Sequence, residues 1–374
     1  MKKRLERNAL YIGLMSGTSM DGIDAALMSF QENKFLTVGT LKKNYPKELR
    51  SQLISASKNW EKTNIDQLGR LDQWTGEIFR DTALEIIKKF NIKANQIAAI
   101  GSHGQTIRHQ PKIENPYSMQ IGDPNIIAYG TKITTVSDFR RKDLAAGGEG
   151  APLTPIYHKA IFQSNKINRV VLNIGGISNI TILNKNSEEI IGFDTGPGNT
   201  LLDAWIRRNL NKPYDKNGQW AKQGSLNKTL LNSMMLDPYF DLVPPKSTGN
   251  EYFNLNWLNR FIKSQNIMEV DIQKTLTVFT SESIAQAIEK FSPDTEEIIL
   301  CGGGAKNTCL YKAISNRLHK IEISKTDDYG IDSDYLEASA FAYLAKLTTS
   351  KKTGNVKSVT GSNNQVILGG IYSA

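Results

Sequence analysis

The sequence predicts an α/β protein of two domains, and three observations carry that reading. At 374 residues the chain is too long for one ordinary hydrophobic core. Short apolar runs ending in glycine turns alternate with stretches of helical periodicity, the pattern of α/β architecture. A strand, glycine turn and strand near residues 10–28 recur near 169–183, and the strand-to-glycine step GSHG recurs as CGGG. Identity between the halves is negligible, so arrangement alone suggests duplication.

Composition is that of a globular protein, 39% apolar and 22% charged. Lys+Arg 46 against Asp+Glu 37 gives a net charge of +9, which raises nucleic acid as a partner. The basic residues are scattered, however, and beyond the MKKRLER start none forms a run interleaved with aromatics. A basic surface meeting a small acidic substrate is the favoured reading. The start imitates a signal peptide, but the apolar run ALYIGLM is short and no small-residue cleavage site follows. No stretch approaches the ~18 apolar residues of a membrane span. Cys301 and Cys309 form no CxxC pattern, which fits a reducing cytoplasm.

Taken in order, Leu10–Ile12 opens a strand that enters the turn of LMSGTSMDGIDAAL and resumes from Ile23 to Met28. Helical periodicity runs from about Ile65 to Phe90 through Leu68, Leu71, Trp74, Ile78 and Ile86. Gln96–Ile100 reads as a short strand entering GSHGQT; Pro111, Pro116 and Pro124 then punctuate the way to TVSDFR and AAGGEGAPLTP. A buried strand at Arg169–Ile174 passes through GGISN into the alternating Ile180–Leu183. After the turn NKNS, the strand Glu189–Phe193 delivers DTGPGN. A helix at about Thr275–Phe291, a strand at Glu297–Leu300 and a helix at about Asp334–Leu347 follow. Thr348–Gln365, rich in Lys, Ser, Thr, Gly and Asn, reads as a surface loop.

Four motifs carry chemistry. In GTSMDG, the glycines Gly17 and Gly22 let backbone approach an anion, Ser16, Thr18 and Ser19 add donors, and Asp21 and Asp24 suit Mg²⁺. A plain β-hairpin turn uses the same residue types, and the stretch alone divides evenly between the two. No G-x-x-x-x-G-K-[ST] and no G-x-G-x-x-G occurs, which narrows the choice of nucleotide-binding folds. In GFDTGPGN, Asp194 directly after an apolar strand suits a general base. The alternative is that Asp194 caps the next helix, for which Asn199 is better placed. In LCGGGAKN, three glycines before a helix favour contact with a nucleotide over a plain loop. In GSHGQTIRH, His103, Gln105, Thr106, Arg108 and His109 form a polar pocket wall for substrate hydroxyls or a solvated loop. The loops AAGGEGAPLTP and PPKSTGNEYFN read as turns without an assigned role, and Trp205 and Trp220 as core or loop anchors.

Read in order, MSGTSMDGIDAAL, GSHGQTIRHQP, QIGDPNIIA, VSDFRRKDLAAGGEGAPLTP, LNIGGISNIT, FDTGPGNTLLDAW, PPKSTG and CGGGAKN resemble the anhydro-N-acetylmuramic acid kinase family nearly end to end. That resemblance implies two ribonuclease H-like domains, the actin-like ATPase fold, with an ATP cleft between them. It implies a first domain over residues 1–138, completed by 345–374, and a second over 139–344 carrying the catalytic carboxylates and the adenosine-side glycine loop. It also implies a reaction: ATP and water open the 1,6-anhydro bridge of 1,6-anhydro-N-acetylmuramic acid, O6 is phosphorylated, and the product feeds cell-wall sugar recycling.

By the same resemblance Asp194 and Glu337 are catalytic, Asp194 as the base activating water. ATP is expected on Gly17, Thr18, Ser19, Met20, Asp21, Gly22, Ile23 and Asp24, on Gly175, Gly176 and Gly196, and on Gly302, Gly303, Gly304 and Asn307. Mg²⁺ is expected on Asp21 and Asp24. The sugar is expected on His103, Gly104, Gln105, Thr106 and Asn179. No nucleic acid or membrane partner is expected, and a homodimer is compatible with the resemblance. Glu149, Asn250 and Tyr129 depart from the family pattern, at positions for Gln, Arg and an acid. The competing readings are another small-molecule kinase or phosphatase of the same superfamily, and a nucleotide-switched assembly protein.

Overall fold

The computed structural model describes residues 10–31, 34–263 and 266–374, so the basic start MKKRLER lies outside the described residues. The chain divides into two compact units, Met1–Tyr157 with Gly330–Ala374, and His158–Tyr329. Residues 139–157 and 330–344 therefore belong with the first unit, where the sequence placed them in the second. The reason is packing: the helix Leu336–Thr349 lies against strands of the first sheet rather than those of the second.

In the first unit, β1 (Leu10–Ser16), β2 (Gly22–Gln31) and β3 (Lys34–Asn44) form an antiparallel meander. The long β4 (Ile97–Gln110) runs parallel to β1, and β6 (Thr135–Ser137) parallel to β4; β5 (Tyr117–Ile121) folds back on β4. At the far edge, β12 (Gly370–Tyr372) pairs with β6. The second unit repeats the plan without the additions. Its meander is β7 (Arg169–Ile174), β8 (Ile177–Leu183) and β9 (Ile190–Pro197), with β10 (Glu297–Cys301) parallel to β7 and β11 (Glu322–Lys325) parallel to β10. Three antiparallel strands followed by two parallel ones, with the first strand central, is the ribonuclease H-like order, and each unit carries it. The echo between residues 10–28 and 169–183 is this shared hairpin. No helix among the described residues is long and apolar enough to cross a membrane.

Alternation along β1 sets the layers of the first unit. Ile12 and Leu14 face Leu49, Leu53, Phe79, Ala83 and Ile86, from the helices Lys47–Lys58 and Ile65–Lys89. Gly13 faces the other way, onto the Leu336–Thr349 helix. A Cβ at Gly13 would lie 1.7 Å from the Ala338 carbonyl, and one at Gly101 on β4 would lie 2.1 Å from that of Phe341. Helix backbone thus rests directly on strand backbone, which only glycine permits. In the second unit, Val170, Leu172, Ile180, Ile182, Phe193, Ile298 and Leu300 pack on the helices Glu269–Phe291 and Thr308–Arg317. A satellite core gathers Trp205, Phe240, Phe253, Trp257 and Phe279.

Three elements differ from the sequence reading. GSHGQTIRH is neither loop nor strand end but the interior of β4, whose 14 residues continue because β5 pairs with its second half. Asp194 does not end its strand either: β9 continues through Pro197, still paired with β8. Thr348–Gln365 is not a plain surface loop, since Thr348, Asn355, Thr360 and Ser362 are buried. The carboxylate of Asp143, fully buried, accepts from Asn355 Nδ2 (2.8 Å), Thr360 Oγ1 (2.9 Å) and the Gly150 amide (2.8 Å). One acid therefore ties AAGGEGAPLTP to the C-terminal segment.

The substitution Gly13→Ala puts a methyl group into the Ala338 carbonyl and must lift the helix from β1. Overpacking of this kind costs about 2 kcal/mol or more, so the thermal midpoint should drop by roughly 4–8 °C. A midpoint within a degree of the parent would show that the helix does not rest on this contact.

Candidate active site

In the first unit the residues gather at the β1–β2 turn and the neighbouring end of β4. Thr18, Ser19 and Asp21 are exposed at the tip, while Met20 is buried with φ +53° and its amide donates to the Gly17 carbonyl (3.2 Å). Gly17 has open space where a side chain would stand, whereas a Cβ at Gly22 would strike the Lys43 carbonyl at 2.3 Å. Ile23 is a core residue. Gly22 and Ile23 thus shape the turn, and Gly17–Asp21 present it. Arg50, unmarked in the sequence because it comes from a separate helix, braces the turn: its guanidinium donates to the carbonyl of Met20 (3.0 Å) and to Asp21 Oδ1 (2.7 Å).

Gln105 is fully buried and faces the same turn rather than a pocket. Its Oε1 accepts from Ser16 Oγ (2.7 Å) and its Nε2 donates to the Gly17 carbonyl (3.2 Å). Gly104 has φ +74°, and a Cβ there would meet the Ile121 carbonyl at 2.7 Å, so β5 dictates it. Thr106 Oγ1 accepts from Gln120 Nε2 (3.1 Å). His103 is buried, and its Nε2 accepts from Arg140 Nε (3.0 Å) while Nδ1 lies 2.8 Å from the Gly104 carbonyl. Those partners require the neutral Nδ1–H tautomer. Burial first, then the Arg140 charge, hold its pKa well below the ordinary histidine value.

Arg140 joins this histidine to a carboxylate. Its Nη1 also donates to the Gly150 carbonyl (2.8 Å). Burial lowers its pKa to about 10, opposed by the nearby charges of Glu337 and Asp143. Glu337, in the first turn of the Leu336–Thr349 helix, keeps access to solvent. Loss of hydration among the surrounding protein nevertheless raises its pKa, with Arg140 opposing and Asp24 adding to the rise.

In the second unit a polar row crosses the sheet. Asn173 on β7 faces Asn179 on β8, and Asn179 faces Asp194 on β9. The flanking Leu172, Ile174, Ile180 and Phe193 enter the core, so the three polar residues share the opposite face. Asn173 escaped the sequence reading; its signal is one polar residue inside the apolar run Val170–Ile174. The register then slips: Ser178 faces Gly196, leaving Thr195 as a bulge residue buried against Ser178. Bulges re-aim neighbouring side chains.

The loop PPKSTG, without a role in the sequence reading, clamps this position. The Thr248 amide donates to Asp194 Oδ2 (2.9 Å), the Asp194 amide to the Lys246 carbonyl (3.1 Å), and Tyr239 Oη to the Asp194 carbonyl (2.7 Å). Asp194 caps no helix. Nor does Asn199 cap by side chain: it occupies the N-cap position, but its amide donates back to the Ile174 and Gly175 carbonyls (3.3 and 3.0 Å). With the amides of Gly198 and Thr200 bonded to the Gly176 carbonyl (2.8 and 3.0 Å), the turns after β7 and β9 become one structure.

After β10 the three glycines divide their work. Cβ atoms at Gly302 and Gly304 would strike Asn173 Oδ1 and Ile174 Cγ2 at 2.3 and 2.2 Å, whereas Gly303 opens onto free space. Gly303 and Asn307 line a cavity of about 430 Å³ together with Asn199, Leu202 and Asp203. Small-molecule sites have this scale and mixed lining.

A match to the family described as anhydro-N-acetylmuramic acid kinase covers residues 9–374. The chain belongs to that family. It is 47% identical over 363 residues to the anhydro-N-acetylmuramic acid kinase of Coxiella burnetii (strain Dugway 5J108-111), covering 97% of each chain. Identity to the enzymes of the same name is 46% over 369 residues for Pasteurella multocida (strain Pm70), covering 98% of this chain and 97% of that one. For Vibrio vulnificus (strain YJ016) it is 43% over 364 residues, covering 97% and 98%.

The family's kinase chemistry raises the question of Mg²⁺. Among the described residues no group of three or more His, Cys, Asp or Glu is placed to hold a metal. Asp21 is paired with Arg50 at 2.7 Å. Asp24 is part-buried, and desolvation raises its pKa; Lys42, 3.8 Å away, opposes this, while Asp334 and Asp21 reinforce it. A desolvated carboxylate in acidic company fits Mg²⁺, which keeps several waters and needs only one or two carboxylates beside phosphate oxygens. Asp24, only loosely paired with Lys42, has the chemistry for that role, and Asp21 would have to share its carboxylate with Arg50.

The departures from the family pattern have separate settings. Asn250 Oδ1 accepts from Thr200 Oγ1 (2.8 Å) at the helix start, Glu149 is 3.5 Å from Lys112, and Tyr129 is exposed beneath Lys132.

The neutral histidines make a measurable demand. His103 and His158 are both buried with lowered pKa values, His158 at about 3 through desolvation. Below pH ~6.5 the unfolded chain takes up protons that these two refuse, so acid must cost stability. Between pH 7.5 and 5.5 His158 contributes about 1.4 kcal/mol of loss, and His103 acts in the same direction. Urea unfolding of His158→Gln should therefore show a shallower fall across that window than the parent; parallel pH profiles would contradict the assignment.

Proposed function

We propose that this protein opens the 1,6-anhydro bridge of 1,6-anhydro-N-acetylmuramic acid with ATP and water, yielding N-acetylmuramic acid 6-phosphate and ADP. The setting of Asp194 carries the reading: a strand carboxylate, held by the Thr248 amide, in a row with Asn179 and Asn173. Such a group is fixed in direction by the sheet and suits proton abstraction from water.

In this reading Asp194 takes a proton from water as the water oxygen bonds to C1. The C1–O6 bond breaks, its electrons pass to O6, and O6 bonds to the γ-phosphorus as ADP leaves. Asn179 orients the sugar beside Asp194. Glu337, its charge balanced by Arg140, accepts hydrogen bonds from sugar hydroxyls, and His103 keeps Arg140 aimed. Amides and hydroxyls of the exposed Gly17–Ser19 tip bind phosphate oxygens. Bound through Asp24, Mg²⁺ would neutralise phosphate charge. Gly175, Gly176 and Gly196 flank the phosphate chain, and the cavity beside Gly303 and Asn307 takes the nucleoside. Positioning and charge compensation are what phosphoryl transfer asks of a protein. A cytoplasmic setting belongs to the same proposal, supported by two cysteines outside any disulfide.

The substitution Asp194→Asn should lower kcat by about 10³-fold, within the range for general-base removal, and leave the Kd for ATP within about twofold. Turnover in ¹⁸O-labelled water must place label at C1 of the 6-phosphate. Full turnover by the variant, or product without label, would overturn Asp194 as the base; no 6-phosphate from the parent would overturn the reaction.

A further inference from the structure

The second-unit cavity contains a carboxylate that the fold does not use. Two of its polar neighbours are already committed. Asp215 accepts from the Trp220 and Ala221 amides, both at 2.9 Å, and Asn307 Oδ1 accepts from Cys309 and Leu310 amides at 3.1 and 3.2 Å. Asp203 lines the same cavity and accepts no hydrogen bond from the described residues. It stands in the first turn of the Thr200–Leu210 helix, where the helix dipole favours an anion and should lower a carboxyl pKa. Burial outweighs the dipole and raises the pKa to about 6, with Arg207 opposing and Asp215 adding to the rise. A partly dehydrated carboxylate without donors is costly to keep.

We propose that Asp203 selects the nucleoside end of the nucleotide by accepting both hydroxyls of its ribose. This inference rests on the ATP-dependent reading above. Two features favour the ribose over the base. A vicinal diol offers two O–H donors to the two oxygens of one carboxylate, whereas the adenine amino group offers a single nitrogen. Asp203 also lies one helical turn, about 5 Å, from Thr200, whose amide joins the Gly175–Gly176 turn assigned to the phosphates. The sugar is the part of a nucleotide next to its phosphates. Open space at Gly303 leaves room for the base beyond it.

Calorimetric titration of the full chain with ADP, 2′,3′-dideoxy-ADP and inosine diphosphate tests this without sugar turnover. The parent should bind ADP at least about tenfold tighter than the dideoxy compound, since a site built for hydroxyls rejects analogues lacking them. In Asp203→Ala that ratio should fall below twofold, and in Asp203→Asn, which keeps one acceptor and the side-chain volume, it should be intermediate. Thermal midpoints of the variants should equal or exceed the parent's, because no hydrogen bond depends on Asp203 and its removal relieves a desolvated carboxylate. Equal affinity of the parent for ADP and the dideoxy compound overturns the proposal alone. So does an undiminished ratio in Asp203→Ala, or a change confined to ADP against inosine diphosphate, which would mean that Asp203 reads the base. Failure of the parent to bind ADP at all overturns the nucleotide reading with it.

Discussion

The first unit depends on a contact in which side chains are missing. Gly13 and Gly101 let the Leu336–Thr349 helix settle directly on β1 and β4, backbone to backbone. An ordinary helix–sheet interface interposes a layer of side chains, and those layers tolerate small shifts. This interface has no such slack. The first turn of the helix is therefore held at a fixed height above the strands, and Glu337 with it. Arg140 then reaches the His103 ring and the Gly150 carbonyl by hydrogen bonds while its charge lies near Glu337. The charge arrangement is a product of the packing, and it inherits the rigidity of the packing.

The second unit reaches a comparable end by other means. Asp194 is held by two main-chain groups, an amide on its carboxylate and a carbonyl on its own amide, and by one side chain, the Tyr239 phenol on its own carbonyl. Backbone clamps of this type need no particular side chain at Thr248 or Lys246, only the course of the loop. The bulge at Thr195 absorbs one residue, so that Gly196 and Pro197 still pair with β8 beyond the point where Asp194 faces Asn179. Turn, bulge and clamp together let a strand carry a carboxylate and a glycine turn within a few residues.

Much of this was legible in the residues. Apolar runs marked the central strands, since Arg169–Ile174 and the helix from Ile65 follow directly from periodicity. The strand setting of Asp194 and the exposed turn of GTSMDG were legible for the same local reason. What escaped was everything that depends on a distant partner. Gln105 read as a pocket wall because nothing nearby reveals that Ser16 and Gly17 consume its amide. GSHGQTIRH read as a loop candidate because its pairing partner β5 lies beyond a proline-punctuated stretch. Three glycines after β10 looked like one device for a ligand, yet two of them answer to Asn173 and Ile174. Arg50 lay outside every motif, and Asn173, Thr248 and Asp203 lay inside motifs without a role of their own. The sequence-based boundary differs from the observed one because the Leu336–Thr349 helix belongs to a sheet begun some 300 residues earlier, and sequence proximity is no guide there.

That discontinuity bears on how the chain comes into being. The second unit is a continuous insertion, His158–Tyr329, with all of its strands adjacent in the order of synthesis. The first unit is split, and its closing pieces, the helix over Gly13 and the Asn355–Ser362 segment around Asp143, leave the ribosome after the inserted unit. Domains tend to fold as units during synthesis, so the inserted unit can mature while the first waits with the Asp143 carboxylate lacking its Asn355 and Thr360 donors and the glycine faces of β1 and β4 uncovered. The charges of Arg140 and Glu337 therefore come together only after the inserted unit has been made. A chain cut short before residue 330 would keep its Asp194 clamp and lack both Glu337 and the helix that aims it.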